Sequence, residues 1–246
     1  MISERAEHPT WTSNAYLFGD GDGGHGVLVD SNGVEEPLLA QIASRKLTIT
    51  HVLVTHQHVD HVVDVAGLAQ RFGVPVVGSD LTKEAGVPVD ETIGDGDIVR
   101  SGELEIKAIA TPGHCPGHLA LLVDGTDCLT ADCLFKGTVG GTGGGGPTGY
   151  ADQYHSIMQR LMTLPPETRI HPGHTQPSTI GEEWERNPFI RIWRGLDPEG
   201  QAPCRVRGQE ATLILFGPDY DGTHKAWVRY PDGRDAIVGG SQVEQG

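Results

Sequence analysis

Cationic side chains are scarce in this 246-residue chain: 18 Lys and Arg stand against 33 Asp and Glu, a net charge of −15 at pH 7. Such a surface offers no broad basic face, so neither a nucleic acid nor an anionic membrane is an expected partner. Cysteine is sparse too. Cys115, Cys128, Cys133 and Cys204 form no CxxC pair and no dense framework, which excludes a disulfide-built scaffold and points to reduced thiols in the cytoplasm. The opening MISERAEHPT has no apolar signal-peptide region. No run approaches the ~18 apolar residues of a membrane span, so a cytoplasmic protein is expected.

Glycine is the opposite case, with 35 residues concentrated at Gly19 to Gly26 and Gly137 to Gly149. Both stretches read as loops, and GTVGGTGGGGPTG suits either a flexible linker or a mobile loop beside a site. Around them, Asn14 to Phe18 and Val27 to Asp30 read as strands, Glu35 to Arg45 as a helix near Pro37, and Ile49 to Val54 as a buried strand. Helical spacing follows over Val62 to Phe72, a hairpin over Ile98 to Ala110, and strands over Leu119 to Val123 and Cys128 to Ala131. Ala151 to Leu164 is patterned as an amphipathic helix, and Arg169 to His171 as a strand. This is a layered α/β pattern, assigned to residues 1–199. Residues 200–246 differ: short strand candidates separated by GPDYDGT and PDGRD turns predict a small all-β module, patterned like an SH3-type barrel.

Histidine and aspartate are crowded at the mouth of one strand, where THQHVDH follows the apolar run ending at Val54. Three close imidazoles repel when protonated and gain little when neutral, so the cluster implies a bound ion. His56 and His58 flank one residue and can point together at one ion, while Asp60 and His61 follow where the chain turns and can face a second. His114 in TPGHCPGH, Asp132 in LTADCLF and His174 in HPGHT stand at further strand ends, where α/β sheets build their sites.

In that order, HxHxDH and the later His, Asp and His resemble the metallo-β-lactamase superfamily over about residues 12 to 195, and TPGHCPGH, TADCLFKGTVG and PGH look most like its glyoxalase II and persulfide dioxygenase branch. The resemblance implies an αβ/βα four-layer sandwich and a dinuclear site: His56, His58 and His114 on one metal, Asp60, His61 and His174 on the other, with Asp132 bridging. The chain departs from glyoxalase II at Gln57 and in replacing a helical substrate-binding segment by the β tail. It departs from the persulfide dioxygenases at Gly140-Gly141-Thr142-Gly143, where they carry GRTD.

Imidazole and carboxylate suit Zn²⁺ first, and Fe²⁺ or Mn²⁺ as well. Two such ions make a hydroxide available at neutral pH, with Asp60 orienting it for attack on a carbonyl. A thiolate leaves without a proton, whereas an amine needs a positioned acid, so thioester or ester cleavage of a small molecule is the expected reaction. An iron-dependent persulfide dioxygenase, a lactonase, and a metal-domain scaffold with a partner-binding tail are the alternatives. His118, His155 and His171 are candidates for facing the substrate, and assembly as a homo-oligomer is compatible with the sequence.

Overall fold

In the computed structural model, which describes residues 1–143 and 148–245, two six-stranded sheets pack against each other. The first runs Ile2–Glu7, Asn14–Gly19, His25–Val29, Thr48–Leu53, Val76–Gly78, Glu91–Thr92. The second runs Ser178–Thr179, Arg169–Pro172, Asp127–Ala131, Leu119–Val123, Leu104–Ala110, Ile98–Ser101. Alternation along each strand decides what is buried where. Leu17, Leu28 and Val52 face outward onto Leu38 and Ile42 of helix Glu36–Arg45 and Val65 and Leu68 of helix Val65–Phe72. Their neighbours Phe18, Val27, Val29 and Leu53 face inward and meet Ile106, Ala108, Leu121 and Leu129 of the second sheet. The far side of that sheet is covered by Ile157, Leu161, Phe189 and Ile190. Helix, sheet, sheet, helix is the expected αβ/βα order.

Two helical expectations need correction. The segment from Val62 does not start a helix: Val59–His61 is a short 3₁₀ turn and the α-helix begins at Val65. The backbone between them is taken by Ser31, whose N–H donates to the His61 carbonyl and whose carbonyl accepts from Val63. Ala151 to Leu164 is not one α-helix either, but Tyr150–His155 followed by a wider π turn over Ser156–Arg160 and a tight one over Leu161–Thr163. Two further helices, Ile180–Arg186 and Pro188–Trp193, are capped by Thr179 and Asn187 through side-chain oxygens.

The tail is a five-stranded antiparallel sheet in the order Asp235–Gly239, His224–Arg229, Gln209–Pro218, Ala202–Val206, Val243–Gln245. One face, with Leu213, Ala226, Val228 and Val238, makes its own core. The other face, with Ile214, Trp227 and Ile237, joins the helical layer of the main body. Trp193 and Trp227 meet there at 6.2 Å between ring centres. The main chain is stitched across as well, Thr142 N–H donating to the Ile237 carbonyl at 2.8 Å and Ile237 N–H to Thr142 Oγ1 at 2.9 Å. Residues 144–147, part of the glycine-rich stretch read as either a linker or a mobile loop, lie outside the described residues. Among the described residues no helix is long and apolar enough to cross a membrane.

Candidate metal centre

The strand Thr48–Leu53 ends in the loop that carries His56, His58, Asp60 and His61. His56 Nε2, His58 Nδ1 and His114 Nε2 converge, with separations of 3.2 Å from His56 to His58 and 2.8 Å from His58 to His114. Three nitrogens around one zinc at 2.0–2.1 Å would stand roughly 3.3 Å apart, so the cluster is close to coordination geometry. Beside it, Asp60 Oδ2 lies 3.6 Å from His61 Nε2 and 3.4 Å from His174 Nε2. Asp132 stands between the groups: Oδ2 is 3.4 Å from His114 Nε2 and 3.5 Å from His174 Nε2, and Oδ1 is 3.4 Å from His61 Nε2. Ligand atoms of His56, His58, His114 and Asp132 thus form one potential cation cradle, and those of Asp60, His61 and His174 a second.

The second sheet delivers its three donors by sharp turns. Strand Asp127–Ala131 ends at Ala131 with φ of +42°, a left-handed conformation that throws Asp132 into the cleft. Asp30 (φ +58°), Thr175 (+62°) and Thr12 (+57°) are likewise left-handed around the rim. Each such residue costs of order 1–3 kcal/mol, a strain that persists at sites because the surroundings enforce it. Gly173 is required by space: a Cβ there would sit 2.0 Å from Asp132 Oδ1.

The outer ring nitrogens are held away from the cleft. His174 Nδ1 donates to the Trp11 carbonyl at 3.0 Å and His114 Nδ1 to the Gly141 carbonyl at 2.9 Å. His61 Nδ1 is 3.1 Å from Asp30 Oδ2. Thr55 donates its hydroxyl to the same Asp30 oxygen at 2.8 Å, so its lone pair accepts from His56 Nδ1 at 3.0 Å. With metal bound, these partners would leave each of these imidazoles a bare nitrogen toward the cleft, the usual arrangement of a metal-ligating imidazole.

Electrostatics fit a bound cation. Burial, reinforced by the neighbouring His61, holds His56 well below the ordinary histidine range, and burial also lowers His58 and His114. Burial alone would raise the Asp132 carboxyl, but the charges of His174 and His61 outweigh it and hold it well below normal. For His61 burial is outweighed in turn by Asp132 and Asp30, which push it well above normal. His61 Nε2 and Asp132 Oδ1 are buried with no hydrogen-bond partner. At 3.4 Å from each other they face as charges without a hydrogen bond, and a divalent cation between them would satisfy both.

A family model described as the metallo-beta-lactamase superfamily matches residues 8–174. The chain belongs to the metallo-beta-lactamase superfamily. It is similar to a hydroxyacylglutathione hydrolase of Rhodobacter capsulatus, 32% identical over 254 residues spanning 88% of this chain and 96% of that protein. Among solved structures it is similar to ETHE1 from Myxococcus xanthus, with 31% identity, a TM-score of 0.70, and coverage of 80% of this chain and 92% of that one. It is also similar to TTHA1623 in a di-iron-bound form, at 31% identity and a TM-score of 0.63, covering 76% of this chain and 99% of that one. In this superfamily the His and Asp groups above imply divalent metal binding.

The superfamily motif residues all come together, but the three histidines expected to face substrate do not. His118 is 1% exposed; its Nδ1 pairs with Thr111 Oγ1 at 2.8 Å and its Nε2 accepts the Asp132 N–H at 3.2 Å. Both nitrogens are spent, so it supports the Asp132 backbone and cannot reach a ligand. His171 is buried between the sheets, 2.8 Å from Asp127 Oδ1 and edge-on to Tyr16 and Phe18. His155 is exposed on helix Tyr150–His155 and shares in none of the ligand groups. Two residues were missed. Asp30 follows the strand His25–Val29, the kind of position the sequence marks at His114, Asp132 and His174, and its orienting role could have been suspected. Tyr220 carries no such signal: it sits in the GPDYDGT turn of the tail, yet its ring stacks on His174 at 4.2 Å and 16° and lies 4.9 Å from Phe135.

Proposed function

We propose that this chain is a metal-dependent hydrolase that cleaves a small thioester, with zinc at both cation positions. The observation that carries this reading is the pair of adjacent ligand groups joined through Asp132, with His61 Nε2 and Asp132 Oδ1 buried 3.4 Å apart and neither making a hydrogen bond. Bound divalent cations would supply a hydroxide nucleophile near neutral pH and polarise the carbonyl. The chain's own residues do the rest. His56, His58 and His114 would hold one ion, Asp60, His61 and His174 the other, and Asp132 both. Asp60 reaches into the cleft beside His174 and is placed to orient the nucleophile's remaining proton. A departing thiolate needs no proton from the protein, so no further acid is called for.

Residues 1–199 form the catalytic body in this reading, and residues 200–246 a tail that closes one side of the cleft through Tyr220. The substrate is a small molecule, the setting cytoplasmic, and nucleic acid is not a partner. The similarity to ETHE1 supports a second reading, oxygen-dependent oxidation of a persulfide at a single iron. The second ligand group, complete with Asp60, His61 and His174, favours the first. Elemental analysis of the purified protein, combined with thioester, lactone and persulfide turnover and oxygen uptake, decides between them. Two zinc ions with thioester cleavage is the expected result; one iron with oxygen uptake on a persulfide would overturn it.

A further inference from the structure

We propose that Arg207, carried by the tail, is a specificity-determining residue that binds a carboxylate on the leaving thiol of the substrate; the proposal rests on the thioester reading above. A cavity of about 260 Å³ opens on the first ligand group, with His58, His114 and Gly141 on one wall and Arg207, Ile237 and Gln242 on the other. Arg207 occupies the turn between strands Ala202–Val206 and Gln209–Pro218. In that turn Arg207 is left-handed at φ +48°, Gly208 follows at +79°, and the Arg207 N–H donates to the Gln242 carbonyl at 3.4 Å.

This guanidinium stands apart from the other arginines. Arg5, Arg45, Arg100, Arg160, Arg169, Arg186, Arg191, Arg194, Arg205, Arg229 and Arg234 each form an ion pair with a carboxylate. Arg71 lies over the Phe72 ring. Among the described residues Arg207 has neither kind of partner, in a chain whose net charge is −15. It also shares its cavity with two histidines that would hold a divalent cation, so an anion between them relieves a like-charge contact. The planar fork of a guanidinium matches a carboxylate with two parallel hydrogen bonds, and Ile237 offers apolar wall to the carbon chain that bears it. Asp60 lies in the other ligand group, and in this proposal the departing sulfur is accordingly placed on the His58 and His114 side.

The test compares S-acetyl-N-acetylcysteine with its methyl ester, which differ only in the carboxylate, on the metal-loaded wild type, Arg207→Gln and Arg207→Lys. Wild type should favour the acid, and R207Q should raise KM for the acid about tenfold or more while leaving kcat, the ester and the metal content unchanged. R207K should recover part of the preference. Calorimetric binding of S-methyl-N-acetylcysteine to the metal-free protein should weaken in R207Q by a similar factor. Equal KM changes on acid and ester, or unchanged KM and unchanged calorimetric affinity, would overturn the role of Arg207. If wild type hydrolyses neither thioester, the thioester reading fails, and the calorimetric comparison still judges Arg207 by itself.

Discussion

The cleft has two sides that are built differently. On the body side, His56, His61, Asp132 and His174 are at most 5% exposed, and partners such as Asp30, Thr55 and Trp11 fix the orientation of the imidazoles. On the tail side, Tyr220 and Arg207 reach in from turns, one half-buried and the other exposed. The first side must hold imidazole and carboxylate donors close together, which calls for strained turns and hydrogen-bonded partners behind the rings. The second must only meet a ligand, so a stacked ring and a free guanidinium suffice. Metal retention and substrate preference should therefore separate by mutation.

The sharpest test of that separation is Asp132→Ala. It should abolish both turnover and stable metal retention, because one carboxylate faces both ligand groups; normal metal content by elemental analysis would remove Asp132 from its bridging place. Next in size is Trp227→Ala, which tests whether the tail is an independent attachment. Trp227 is 2% exposed and packs in the body's helical layer. Its loss should destabilise the whole protein by about 3–5 kcal/mol in urea unfolding. A change confined to the tail, with the body unfolding at its usual midpoint, would make the two units separable.

Asp30→Asn should leave every ligand in place and still weaken metal affinity by about 10–100-fold, measured by chelator competition, because His61 loses the carboxylate behind it. Unchanged affinity would mean that orientation comes from packing alone. Acid should weaken the body side in a defined direction. Burial, with help from His114, lowers the His118 pKa to about 3, whereas an unfolded histidine titrates near ~6.5. Between those values the unfolded chain binds the extra proton, so stability is lost as pH falls from about 6.5 toward 3. From pH 7 to 5 the metal-free wild type should lose up to ~2 kcal/mol more than His118→Gln, read from thermal unfolding at both pH values. Parallel pH profiles would place the titration elsewhere.

The smallest expected effect belongs to Tyr220→Ala: kcat/KM down about tenfold with metal content unchanged, the scale of one lost aromatic stacking contact. Loss of metal in this variant would instead make Tyr220 part of the ligand scaffold and erase the contrast between the two sides.

Much of the body side was legible in the sequence. HxHxDH concentrates four donors within one short segment, and the Pro-Gly and small-residue turns around His114, Asp132 and His174 mark strand ends, so local sequence specified both the donors and the sheet edge that presents them. The alternation of apolar residues likewise fixed the sheets, because strand periodicity is a local property. The roles of His118 and His171 were not legible, since whether an imidazole faces a cleft or a backbone amide depends on what folds over it.

The tail divides the same way. Its short strands and turns could be read from residue 200 onward. That Tyr220 lands on His174, and Arg207 beside His58 and His114, was settled only by the docking of the tail sheet through Ile214, Trp227 and Ile237. Chain spacing carries no trace of such a contact: the residues are far apart in sequence and are brought together by burial of apolar area, which is non-directional and leaves no motif.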